Sequence, residues 1–127
     1  MKPYLVILYL LVCVIVGASG DGLMDDGAKL WGHGLNALET ALLISGAFVF
    51  NLNRKQWLAF IVAYVAFRIV GFDYAYNLSR GLPWNFIGFT SGWDLFLKKQ
   101  LPSGVIFGRT IFLAFGVALS IRNFKSQ

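Results

Sequence analysis

Six ionisable side chains stand inside or at the edge of apolar segments: His33, Glu39, Arg68, Asp73, Arg109 and Asp94. A charge inside a bilayer is costly, so such residues are usually paired with one another or used for function. Each type brings its own chemistry. Glu39 offers an acid/base group or a counter-ion, and the arginines offer planar forks for anionic groups. His33 titrates easily. Their grouping is the strongest sign of a site in this chain.

Other chemistries find little support. Cys13 is the single cysteine and lies in an apolar run, so neither a disulfide framework nor a cysteine metal site is available. Leu11-Val12-Cys13 also lacks the small residue that precedes a lipoprotein cysteine. No His-x-x-x-His or His-Glu-x-x-His is present, and no metal is expected. Asp21, Asp25 and Asp26 do not match the spacing of a calcium loop and read as a solvated acidic loop. Neither a Gly-x-Ser-x-Gly elbow nor a phosphate loop occurs. Asn77-Leu78-Ser79 matches a glycosylation sequon, without meaning in a bacterial protein.

The elements that must position the charges belong in a membrane. The 127 residues are 57% hydrophobic and only 13% charged, with a mean hydropathy of +0.67. A soluble domain carries about a quarter charged residues. One all-α, polytopic domain over residues 1–127 is expected, with four transmembrane helices at about 4–18, 35–52, 57–72 and 104–121. Each is near or just below the ~20 residues that span a bilayer. The Asn51–Lys55 hairpin should set the second and third helices side by side and antiparallel. Lys2, the apolar core after it and Ala18-Ser19-Gly20 would also suit a signal peptide. A retained first helix is the expectation, and cleavage would leave the other three oriented the same way.

Basic residues set the orientation. Lys2, Arg54, Lys55, Arg122 and Lys125 mark the N-terminus, the second loop and the C-terminus as cytoplasmic, in a bacterial cytoplasmic membrane. The first loop is acidic and faces out. The net charge of +5 is scattered along the chain, so no nucleic-acid partner is expected. The third loop, 73–103, alternates aromatic and polar residues and should lie along the outer interface as an amphipathic segment. Ser91-Gly92-Trp93-Asp94 offers a cap for a short surface helix over 94–101, which takes Asp94 out of the charge cluster. Trp31, Trp57, Trp84 and Trp93 are the expected interfacial anchors.

On this path Glu39 lies ~6 Å inside the second helix at 1.5 Å per residue. Arg68 lies a similar distance below the outer end of the third helix, and Arg109 about five residues into the fourth. Asn36, Glu39 and Thr40 share one helical face; Tyr64, Arg68 and Gly71 share another. Arg109, Leu113, Gly116 and Ser120 form a small, polar stripe suited to close packing. Glu39 should pair with Arg68, Arg109 or both, Asp73 could balance the second arginine, and His33 sits at the mouth. Two readings stand open. The pairs set helix register, or they form a site for a ligand, an ion or catalysis.

Two resemblances add to this. The continuous stretch from Arg68 to Asp94, with Arg68, Asp73, Asn77, Gly88, Thr90, Ser91 and Asp94 in one pattern, resembles uncharacterised small four-helix membrane proteins of bacteria and their phages. That resemblance implies a membrane protein and no particular activity. Gly20-Asp21-Gly22, followed by His33-Gly34-Leu35-Asn36-Ala37-Leu38-Glu39, is similar to the MAPEG family. Those are four-helix membrane proteins, typically trimers, several of which join glutathione to lipophilic substrates. Asn36 and Glu39 would match the family's Asn-x-x-Glu, and Arg68 its third-helix arginine. The arginine beside that Asn and the proline after that Glu are absent here, and the third loop is longer.

The leading functional expectation is a non-enzymatic accessory or structural subunit of a membrane assembly, with protein partners or further copies of itself. A phage-encoded or lysis-related protein falls within it. One alternative is a MAPEG-like or other lipid-binding enzyme, in which Arg68 and Arg109 would bind an anionic headgroup or a thiol cofactor. A second is a small ion or proton transporter in which Glu39 titrates. No particular cofactor is indicated.

Overall fold

Three of the chain's turns use the same device to stop a helix. At Gly27, Asn51 and Gly81 the backbone enters the left-handed region, with φ of +91°, +48° and +66°. In each case the next amide reaches back to close the helix end: Ala28 to the Leu23 carbonyl, Leu52 to Ala47, and Leu82 to Asn77. These are Schellman endings, for which glycine and asparagine carry the smallest steric penalty. They define α1 (Pro3–Asp25), α2 (Lys29–Val49) and α3 (Arg54–Ser79). α4 spans Val105–Phe124. The computed structural model describes residues 2–84, 86 and 105–125, without the side chains of 105–108. Among the described residues the chain is all-helical, with no strands.

Helix starts are equally local. Pro3 opens α1 at a position where its missing N–H has no intrahelical role. Asn53 and Gln56 form a reciprocal capping box on α3, with Gln56 N–H donating to Asn53 Oδ1 at 3.0 Å and Asn53 N–H to Gln56 Oε1 at 3.2 Å.

The helices are longer than the apolar stretches suggest. α1 continues beyond Ala18 to Asp25, so the loop after it shrinks to Asp26–Ala28. Asp21 and Asp25 therefore stand on a helix, where an acidic solvated loop was expected. α2 begins six residues before Leu35. α3 runs past Phe72 to Ser79, so Asp73–Ser79 is helical and does not belong to the interfacial loop. Hydropathy ends where charges begin, whereas a helix continues wherever those charges find partners.

The packing order also departs from chain order. α1 packs against both α2 and α3, α3 packs against α4, and α1 touches α4 more lightly. The hairpin-linked α2 and α3 do run antiparallel, but they are not the close-packed pair that the hairpin suggested. α1 takes the place between them because it carries the small residues. A Cβ on Gly20 would crowd Asn36 Oδ1 and, at 3.0 Å, the Gly32 carbonyl oxygen. One on Gly32 would meet the Gly20 carbonyl oxygen at 2.7 Å. Such approach matters most where surrounding lipid is as apolar as the side chains themselves, so that packing and hydrogen bonds must hold helices together.

The apolar core lies toward the starts of α1 and α3 and meets the polar network at Tyr64. Val6, Leu10, Cys13 and Val14 of α1 bury one face against Phe60, Ala63 and Phe67 of α3 and Phe124 of α4. Tyr9 ties α1 to α2, donating to the Leu42 carbonyl at 2.6 Å. Gln56 Nε2 ties the start of α3 to the end of α4 through the Asn123 carbonyl at 3.2 Å. By length and composition, α1 and α3 are long and apolar enough to cross a membrane. The outward faces of α2 and α4 expose Leu30, Trp31, Ile44 and Phe48, and Ile111, Leu113 and Phe115.

Candidate functional site

Near the middle of α2 and α3 and in the last two turns of α1, three helices send polar side chains to one point. Glu39 projects from α2 over Gly17 of α1, where a Cβ would overlap its carboxyl carbon and both oxygens. The missing side chain opens a passage toward α3. There Glu39 Oε1 accepts from Tyr64 Oη at 2.5 Å and from Arg68 Nη1 at 2.6 Å. Nη1 of Arg68 also lies 2.7 Å from Tyr64 Oη. Glu39 is only 8% exposed, so a carboxylate without these donors would be strongly disfavoured.

The second carboxylate comes from α1. Asp21 Oδ2 faces Arg68 Nη2 at 3.3 Å, and its Oδ1 accepts from Asn36 Nδ2 at 2.7 Å. One guanidinium thus serves two carboxylates on two different helices, and Asn36 braces the outer one from α2. Asn36 Oδ1 is buried and has no hydrogen-bond partner among the described residues.

Arg109 goes elsewhere. Its Nη2 pairs with Asp73, joining α4 to the second half of α3. Its guanidinium carbon also lies 4.9 Å from the centre of the Tyr74 ring. The expected three-helix convergence of Glu39, Arg68 and Arg109 is therefore two separate clusters, Arg68 with Glu39 and Asp21, and Arg109 with Asp73. Antiparallel packing of α4 on α3 sets Gly116 beside Phe67, which brings Arg109 level with Asp73. Both guanidinium groups are committed to carboxylates.

α3 carries a further feature that continues from Arg68 toward Asp25. Tyr64, Arg68, Phe72, Tyr76 and Arg80 recur every four residues and so share a face. Arg68 lies 4.7 Å from the Phe72 ring centre, Phe72 stacks on Tyr76 at 5.6 Å, and Arg80 lies 5.5 Å from Tyr76. Tyr76 Oη donates to Asp25 of α1 and accepts from Arg80 Nη1 at 3.0 Å. Asp21 and Asp25, one turn apart on α1, thus face a ladder of cations and aromatic rings.

The remaining expected residues are more peripheral. His33 is exposed on α2. Trp31, Trp57 and Trp84 are exposed, while Trp93, Asp94 and the 94–101 surface helix lie outside the described residues. Asn77 is 2% exposed and holds the chain beyond α3, donating to the Trp84 carbonyl at 3.2 Å and the Phe86 carbonyl at 2.7 Å. Sequence reading missed Asp21 as a partner of Arg68 and the Asp25–Tyr76–Arg80 set. The available signal was Gly17, Gly20 and Gly22, whose spacing lets a helix carry Asp21 inward against its neighbours.

Fold and site together define, among the described residues, an all-helical bundle braced by buried and half-buried ion pairs between its helices. Comparison with protein-family models, with curated proteins and with solved structures gave no match.

Proposed function

We propose that the protein is a small integral membrane subunit, with all four helices in the bilayer and both termini cytoplasmic, serving as an accessory or structural component of a membrane assembly. The observation that carries this reading is the burial of Glu39 between Tyr64 and Arg68 across Gly17. Every strong donor near that carboxylate is already engaged in holding helices together. Such a network fixes helix register in a solvent that provides no hydrophobic drive for helix association. α2 and α4, at 21 and 20 residues, are each about 30 Å long at 1.5 Å per residue, which matches a hydrocarbon core. Their apolar outer faces suit lipid or a neighbouring subunit.

Extraction from native membranes in a mild detergent, followed by native mass spectrometry, tests this reading. The expected result is a complex of defined stoichiometry, with partners or with further copies of the chain. A monomer without partners across several mild detergents would defeat it.

A further inference from the structure

Cations that lie scattered along the sequence gather at one end of the bundle. Lys2 precedes α1, Arg54 and Lys55 open α3, and Arg122 and Lys125 stand at the end of α4. Two contacts bring these ends together. Val6 and Phe124 belong to one buried cluster, and Gln56 Nε2 donates to the Asn123 carbonyl at 3.2 Å. Lys55 and Arg122 are the chain neighbours of that bonded pair, so the basic residues of α3 and α4 meet across one helix contact.

All five residues are exposed, and their charge is not neutralised within the chain. Among the described residues, ion pairs engage only Arg68 and Arg109. The described carboxylates also stand well back from this end. Glu39, the least remote along a helix, is ~15 Å before the end of α2 at Val49, at 1.5 Å per residue.

The cations border an apolar surface as well. Tyr4 and Leu5 are exposed beside Lys2, Trp57 and Leu58 lie one turn from Arg54 and Lys55, and Ile121 adjoins Arg122. Exposed Phe48 and Val49 complete the rim at the end of α2. Basic side chains next to Trp, Tyr and aliphatic residues mark the level of the headgroups, where long cationic side chains reach up from an apolar belt. An anion held here therefore sits at the edge of the hydrocarbon, which favours a lipid over a soluble polyanion.

We infer that this end of the bundle binds anionic phospholipid, with phosphodiester groups held between the ends of α3 and α4 by Arg54, Lys55, Arg122 and Lys125. Each arginine can fork two donors onto phosphate oxygens, and each lysine adds a point charge. Basic clusters at the ends of membrane helices take such headgroups. The inference rests on the membrane-embedded bundle proposed above and adds a class of lipid as its partner.

The test places the full chain in nanodiscs of equal phosphatidylglycerol and phosphatidylcholine, and native mass spectrometry counts the lipids it keeps on release. The native chain should keep phosphatidylglycerol in preference. Arg122→Gln with Lys125→Gln should lower that preference by about fivefold per charge, with helix content by circular dichroism unchanged. Lys29→Gln, at the opposite end of the bundle, should leave it as it is. Equal retention of both lipids by the native chain, an unaltered preference in the double variant, or an equal fall in Lys29→Gln would overturn the inference. Displacement of the lipid by a large excess of inorganic phosphate or of a single-stranded oligonucleotide would also overturn it. A monomer that shows the preference defeats only the assembly reading, and a partnered complex without it defeats only this one.

Discussion

Gly17 of α1 lies directly beneath the carboxylate of Glu39 on α2, and the space left by its missing side chain is the passage through which Glu39 reaches Tyr64 and Arg68 on α3. A residue with no functional group therefore decides whether the polar network can form. Helix geometry sets the arrangement, since Gly17 and Asp21 are one turn apart on one face of α1.

Gly17→Ala should destabilise the bundle by roughly 1–3 kcal/mol, the usual penalty for overpacking. Thermal unfolding in detergent, followed by circular dichroism, measures it. Gly34→Ala is the control: no atom lies within 4 Å of a Cβ there. It should be neutral or slightly stabilising, because alanine is the better helix former.

Arg68→Met should cost more than Glu39→Gln. The first strands the buried carboxylate of Glu39 without its cation, a loss of about 3–5 kcal/mol. The second keeps a group able to hydrogen-bond Tyr64. The double variant Glu39→Gln with Arg68→Met should be less unstable than the sum of the singles, because the residues share one network. Additive losses in a double-mutant cycle would contradict the direct Arg68–Glu39 bond.

Tyr64→Phe removes only the hydroxyl that donates to Glu39 Oε1 at 2.5 Å. The expected loss is about 1.5–3 kcal/mol, the range for hydrogen bonds to charged groups. A shift within error of the native chain would mean that Arg68 alone satisfies the carboxylate.

Asn77→Ala should leave α1 and α2 intact while loosening the chain just beyond α3. The buried amide of Asn77 is the donor that holds the Trp84 and Phe86 carbonyls. Amide hydrogen exchange should accelerate at Gly81–Trp84 and remain unchanged over Val6–Val14. Uniform acceleration would instead indicate global destabilisation.

Much of the architecture was legible because its causes are local. Four apolar stretches announced four helices, and Asn51–Lys55 announced a turn whose cap is Asn53 with Gln56. The importance of Glu39 and Arg68 was legible too, since a charge within an apolar run needs a partner nearby in space. Helix ends were harder to read. Hydropathy stops at Ala18 and Phe72, yet α1 and α3 continue because Asp21, Asp25, Asp73 and Tyr76 are all bonded across helices.

Composition and hydropathy, taken alone, pointed to an all-helical chain, and the charges inside its apolar stretches to one shared layer. Pairing was decided only by the tertiary structure. Arg109 reached Asp73, not Glu39, because the Gly116–Phe67 contact sets the register of α4 on α3. Asp21 joined Glu39 on Arg68 because Gly17 and Gly20 let α1 lie between α2 and α3. An ion pair forms over only a few ångströms, and which side chains come that close depends on how tightly backbones can approach, a property set by several helices at once.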